Sequence, residues 1–144
     1  MGCPAMEPGP TPMCRTMFKL GYAYSIIPGP MIDGRPTIEY MFLKEHGTGL
    51  ANADVALLQD RKGKIHILWR HKAWLLDAPP IEGMEITETF YSWTYSKNPD
   101  KIRIAGKHQI SLATRDKPKL IRSTPLDSEY YCFNKKIIKF ERCH

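Results

Sequence analysis

An α+β domain is what this sequence predicts: an antiparallel sheet built from two long hairpins, with one or two short helices packed on it. Three observations carry that expectation. From Ile102 the chain alternates, with Ile102, Ile104, Gly106, His108, Ile110, Leu112 and Thr114 on one face and Arg103, Ala105, Lys107, Gln109, Ser111, Ala113 and Arg115 on the other. A period of two, apolar on one side and cationic on the other, marks a half-buried strand. The run before it, Glu85 to Ser96, is rich in Ile, Thr, Phe, Tyr and Trp, and Lys97-Asn98-Pro99-Asp100-Lys101 between them has turn chemistry. The third observation is a helix signal at Thr37 to Gly47, upstream of the hairpins.

Taken in order, residues 1–16 carry Pro4, Pro8, Pro10 and Pro12 with Gly2 and Gly9, which predicts a flexible arm ahead of a single domain over 17–144. Order is expected from Met17, with Phe18, Leu20, Tyr22, Tyr24 and Ile26 alternating as a strand that stops at Pro28-Gly29-Pro30. In the next stretch Thr37 reads as an N-cap, Glu39 suits a first turn, and Lys44 and His46 a last turn before Gly47. Ile38, Met41, Phe42 and Glu45 share a helical face, so the caps favour a helix over the strand that Ile38, Tyr40 and Phe42 also permit. Ala53–Asp60 and Lys64–Asp77 form a hairpin about Asp60-Arg61-Lys62-Gly63. Ala78-Pro79-Pro80 then leads through Ile81-Glu82-Gly83 to the central hairpin. Beyond Arg115 a basic connector, Asp116 to Arg122, reaches a final segment with two open readings. Tyr130, Phe133, Ile137, Ile138 and Phe140 line a helical face, and Asn134-Lys135 equally suits a hairpin turn.

A chain of 144 residues fits one domain with a core that needs no cross-links. Cys3, Cys14, Cys132 and Cys143 show no C-x-x-C spacing, which excludes a zinc site, and are too sparse for a disulfide scaffold. No apolar run suits a signal peptide or a membrane span, so the expected setting is intracellular and reducing, without secretion. Met1-Gly2-Cys3 lacks the Ser or Thr at position 6 that myristoylation prefers.

Catalysis is not expected. There is no phosphate loop, nucleophile elbow or H-E-x-x-H pair, and the histidines are scattered, so neither cofactor nor metal is predicted. Glu85 and Glu88 fall on opposite faces of a strand; a pocket joining His108 to Glu88 would be needed to revive an enzyme.

Charge is more informative. Residues 1–60 hold 4 Lys/Arg against 6 Asp/Glu, whereas residues 61–144 hold 17 against 9. Such asymmetry points to an anionic partner for the second half. Arg61, Lys62 and Lys64 cluster at one hairpin tip, Lys97 and Lys101 flank the other, and Arg103, Lys107 and Arg115 line the outer face beside it. If the hairpins are neighbours these charges merge. Trp69, Trp74, Tyr91, Trp93 and Tyr95 between them suggest stacking platforms for RNA or single-stranded DNA, with at least three of the five expected in the core.

The order of segments resembles the matrix proteins of rhabdoviruses over roughly residues 17–115. The residues concerned are the strand to Ile27 with Arg35-Pro36, Ile65-His66 through Arg70-His71-Lys72-Ala73-Trp74-Leu75-Leu76, Pro79 through Ile86, and Ile102 through Leu112. The resemblance implies an α+β fold and a virion structural role: self-association, condensation of a nucleocapsid and contact with the inner membrane leaflet. The chain departs from the family in its N-terminus, which is Pro-rich rather than Lys-rich. It has Pro79-Pro80-Ile81-Glu82 where the family carries P-P-x-Y, and Tyr40-Met41-Phe42-Leu43 fits only the looser Y-x-x-L pattern. The expected function is therefore a matrix-like structural protein that binds nucleocapsid RNA or anionic membrane lipid and self-associates through its arm. A soluble RNA- or single-stranded-DNA-binding module is the alternative, and no small-molecule substrate is expected.

Overall fold

Eight antiparallel strands in sequence order, preceded by one helix, make up the structure, a computed structural model that describes residues 11–47 and 49–144, with backbone alone at 45 and 46. The elements are α1 (Pro12–Leu20), β1 (Tyr22–Pro28), β2 (Ile38–Gly47), β3 (Leu50–Arg61), β4 (Lys64–Asp77), β5 (Glu85–Ser96), β6 (Lys101–Leu112), β7 (Lys119–Asn134) and β8 (Lys139–Cys143). The fold is therefore nearly all-β, which corrects the α+β expectation, including the fold implied by the matrix-protein resemblance.

Two long hairpins stand where expected. β3 and β4 join through Lys62-Gly63, both at positive φ (56° and 86°), as a two-residue turn between right-twisted strands requires. Gly63 N–H also bonds to Asp60 Oδ1 at 2.8 Å. β5 and β6 pair without a register break from Glu85↔Leu112 to Ser96↔Lys101.

The helix expected over 37–46 is strand β2. Its alternation serves two interiors: Tyr40 and Phe42 face α1, while Met41 packs on the other side of the sheet. A strand covered on both faces is apolar on both, which imitates the i, i+3, i+4 pattern. The supposed caps have other duties, since Thr37 Oγ1 donates to Pro30 O at 2.6 Å.

The real helix lies upstream. Thr11 caps α1 by accepting from Cys14 N–H at 3.2 Å, and Pro12 stands at the first helical positions, where its missing N–H costs nothing. Met13, Cys14 and Met17 then bury against Tyr40, Phe42, Ala56 and Leu58. The expected arm boundary at residue 16 thus falls inside a packed helix, and the strand expected from Phe18 begins at Tyr22. The rest of the expected arm, residues 1–10, lies outside the described residues. The open final segment resolves as the β7–β8 hairpin, and β7 already begins within the expected basic connector.

The sheet rolls over on itself. β4 and β5 pair only where Trp74–Asp77 meets Thr87–Phe90. Elsewhere the two halves part, and a core containing Val55, Leu57, Trp69, Ile102, Ile104 and Phe140 fills the space between them. Across it, Trp93 Nε1 and Tyr95 OH both donate to Glu39 Oε1 at 2.7 Å, and Trp69 meets Tyr131 edge-on at 6.2 Å. Gly106 leaves room for a ring: a Cβ there would stand 3.0 Å from Tyr91. β3 is the most enclosed strand, buried without interruption from Ala53 to Gln59. Each large apolar side chain enclosed there contributes about 1.5–3 kcal/mol.

The cysteines depart from the reducing expectation. Cys132 and Cys143 form a disulfide across the β7–β8 hairpin, and no cysteine among the described residues is free. No helix among the described residues is long and apolar enough to cross a membrane.

Candidate anion-binding end of the sheet

Because the strands alternate in direction, the connections β1–β2, β3–β4, β5–β6 and β7–β8 all emerge at one end. Taken with one flanking residue on each side (28–38, 61–64, 96–101 and 134–139), they carry nine Lys/Arg and two Asp. The connections at the other end (47–50, 77–85 and 112–119) carry three Lys/Arg and four Asp/Glu. The net is +7 at one end and −1 at the other, so the whole +6 of the chain is concentrated on one pole.

Side chains tie the connections of the basic pole together. Asp33, in the β1–β2 connection, meets Arg61 Nη1 and Lys135 Nζ at 3.2 Å each and Arg35 Nη1 at 3.3 Å. The Lys135 hydrogen bond, more than any other contact, holds the Asp33 carboxyl below its ordinary value; Arg61 adds to this and burial opposes it. Lys97 Nζ donates to Met31 O at 3.0 Å, so the β5–β6 turn touches the same connection. Burial first, and then the charges of Lys64 and Arg61, lower the pKa of His66.

Of the eight cations singled out from sequence, five share this pole: Arg61, Lys62, Lys64, Lys97 and Lys101. Arg61 is not free for a partner. Its side chain is 14% exposed, Nε donates to Gln59 Oε1 at 2.7 Å, and Phe133 lies 6.0 Å from its guanidinium carbon. Lys62, Lys64 and Lys97 are exposed. Lys101 reaches His144 O at 2.9 Å and sits 4.8 Å from the centre of the Tyr130 ring. Arg103 is exposed on the outer face and donates to Ser128 Oγ at 3.2 Å; Lys107 lies further along that face, opposite Phe90 and Pro125. Arg115 stands at the opposite, near-neutral end. Sequence reasoning missed Lys135, Lys136 and Lys139, whose signal was the Asn134-Lys135 turn left open with the helix.

The aromatic set divides differently. Trp69 is buried, Tyr91, Trp93 and Tyr95 line the inner core, and Trp74 donates to Glu88 Oε2 at 2.6 Å on the outer face. Burial and then Glu39 push the Tyr95 hydroxyl pKa upward, as befits an internal donor. His108 and Glu88 do not converge. His108 pairs with Thr89 on the inner face, its Nδ1 2.9 Å from Thr89 Oγ1, whereas Glu88 faces outward. His71 is enclosed by Trp69, Tyr91 and Tyr131, with Nε2 3.4 Å from Glu129 Oε2.

No family model, curated protein or solved structure matches the chain.

Proposed function

We propose that the chain is a non-catalytic structural protein that docks end-on against an anionic lipid surface through its basic pole. This is one of the roles the matrix-protein resemblance implies, supported here by charge placement rather than by fold. The observation that carries it is the difference between +7 and −1 at the two ends of one sheet. A planar array of headgroup phosphates rewards cations gathered on one pole, at about 1 kcal/mol per Lys/Arg near the surface.

Single-stranded nucleic acid is the weaker reading. Bases need aromatic faces to stack on, and the indoles and Tyr91 and Tyr95 are engaged by the core or by Glu88 and Glu39.

Co-sedimentation with vesicles of phosphatidylcholine alone and with added phosphatidylserine tests the proposal. Binding is expected with phosphatidylserine and to weaken with salt. The double variant Lys62→Glu, Lys64→Glu should lose at least about tenfold in apparent affinity, while Arg115→Glu at the other end should bind as the parent does. Equal loss in both variants, or binding indifferent to phosphatidylserine, would reject the basic pole as the site. Affinity for single-stranded RNA with a steep salt slope and no vesicle binding would favour the nucleic-acid reading.

A further inference from the structure

The geometry points to a small-molecule site at the end of the sheet opposite the basic pole, one that takes a primary ammonium on a short aliphatic body. A pocket of about 320 Å³ opens there, where the start of β3, the end of β4 and the entry to β5 meet. That volume suffices for a small ligand. The ladders fix its rim. Asp77 pairs with Leu50 on one side and with Thr87 on the other, so three strands contribute to it. Ala78 N–H bonds to Gly49 O at 2.6 Å, an approach that leaves no room for a Cβ at Gly49, whose φ is 80°. Leu50, Leu75 and Leu76 make the apolar wall, and Leu50 is 56% exposed, surface that an aliphatic ligand would cover.

The polar groups decide the charge of the ligand. No Lys or Arg lines the pocket, whereas Asp77 does, and its carboxylate has no side-chain partner among the described residues. Asn52 lines it too, and its Oδ1 is buried with no donor to meet it. Thr89 Oγ1 is engaged with His108 Nδ1 at 2.9 Å, which leaves Thr87 as the unengaged hydroxyl of the wall. Acceptors are therefore in excess, and N–H groups brought by a ligand would satisfy them. An ammonium gathers three such donors on one positive charge, and the leucines take its aliphatic body. An anion would meet Asp77 with no cation to offset it. Among the described residues no three His, Cys, Asp or Glu side chains converge to hold a metal ion.

The positive charge of the chain does not oppose a cation here. β3 runs 12 residues from Leu50 to Arg61, about 36 Å, so the basic pole lies several Debye lengths away. Nearer at hand the connection 77–85 carries Asp77, Glu82 and Glu85 and no cation.

The probe is n-hexylammonium, with 1-hexanol and hexanoate as its neutral and anionic counterparts. Titration of the full chain near neutral pH, followed by backbone amide shifts, should give a dissociation constant of about 1 mM for the ammonium. Hexanol should bind at least about fivefold more weakly, and hexanoate should not bind. The shifts should centre on residues 50–52, 75–77 and 87–89. Asp77→Asn, which keeps the size of an exposed side chain, should weaken hexylammonium at least about tenfold. Glu82→Gln, in the same acidic connection but outside the pocket, should bind as the parent does. Equal affinity for the three probes, shifts centred elsewhere, or no saturable shift up to about 20 mM would each overturn the inference, and these readings need no variant. So would parental affinity in Asp77→Asn, or equal loss in Asp77→Asn and Glu82→Gln, which would assign the effect to the whole acidic connection. The result is separable from the basic-pole proposal, because Lys62→Glu, Lys64→Glu should lose vesicle binding and keep hexylammonium binding.

Discussion

Strand β8 meets solvent at one edge of the sheet as five residues, of which Lys139, Glu141 and Arg142 are charged. It is held by more than backbone pairing. Phe140 is buried in the main core 5.3 Å from Phe133, Arg142 reaches Glu129 at 3.4 Å, and Cys143 is bonded to Cys132. Strand β1 meets solvent at the other edge as seven uncharged residues, with its large side chains exposed and only Ser25 half-buried. One edge is short, charged and fastened; the other is long, neutral and lightly anchored. The contrast says that exposure of an edge is not uniform in this molecule, and that β8 is the edge fastened by side chains as well as by backbone pairing.

The largest expected effect separates the two edges by truncation. Phe140→Ala should cost about 3–5 kcal/mol in urea unfolding, because it empties a filled core position. Ile26→Ala should cost less than about 1 kcal/mol. Equal losses would break the contrast, since they would mean that β1 is as firmly seated in the monomer as β8.

Next in size is the covalent fastening. Replacing Cys132 and Cys143 together by Ser should lower stability by about 2–4 kcal/mol. A double variant as stable as the parent would show that Phe140 and the ion pairs suffice to hold β8. The smallest effect lies at the basic pole, where Asp33 ties the loop leaving β1 to the turn entering β8. Its folded pKa is depressed, so its contribution is complete above the ordinary carboxylate value of 3.8 and is lost as pH falls below that through the folded value. The urea midpoint of the parent should therefore drop between pH 5 and pH 2.5 by more than that of Asp33→Asn. Identical drops would mean that this carboxylate does not hold the two connections together.

How much of this was legible depended on whether each strand has one buried face or two. β5 and β6 pair without a break and read correctly as strands, as does the Lys62-Gly63 turn, because local chemistry and tertiary burial agree there; β4 is legible in its bounds, although two bulges interrupt its alternation. β2 was misread because both its faces are covered, and Thr37 and Gly47 happen to resemble caps. α1 is hidden in the sequence because Pro12 reads as a breaker, although it occupies the position where a helix tolerates it. The Cys132–Cys143 bond was hidden by a sequence separation of 11, which only the hairpin folds back to a Cα separation of 5.8 Å. For the basic pole, composition identified the cations and the alternating strand directions placed them. What sequence could not show was that Arg61 is committed to Asp33 and Gln59, because Asp33 lies in a different connection.

Sheet order that repeats sequence order also bears on how the molecule is assembled in time. Every backbone ladder joins segments that follow one another in the chain. No strand must await a distant partner, and a sheet of this kind can be laid down one hairpin after another. The contacts that must wait are between side chains across the roll: Glu39 with Trp93, His71 with Glu129, and last of all Asp33 with Lys135, which joins the first connection to the final turn.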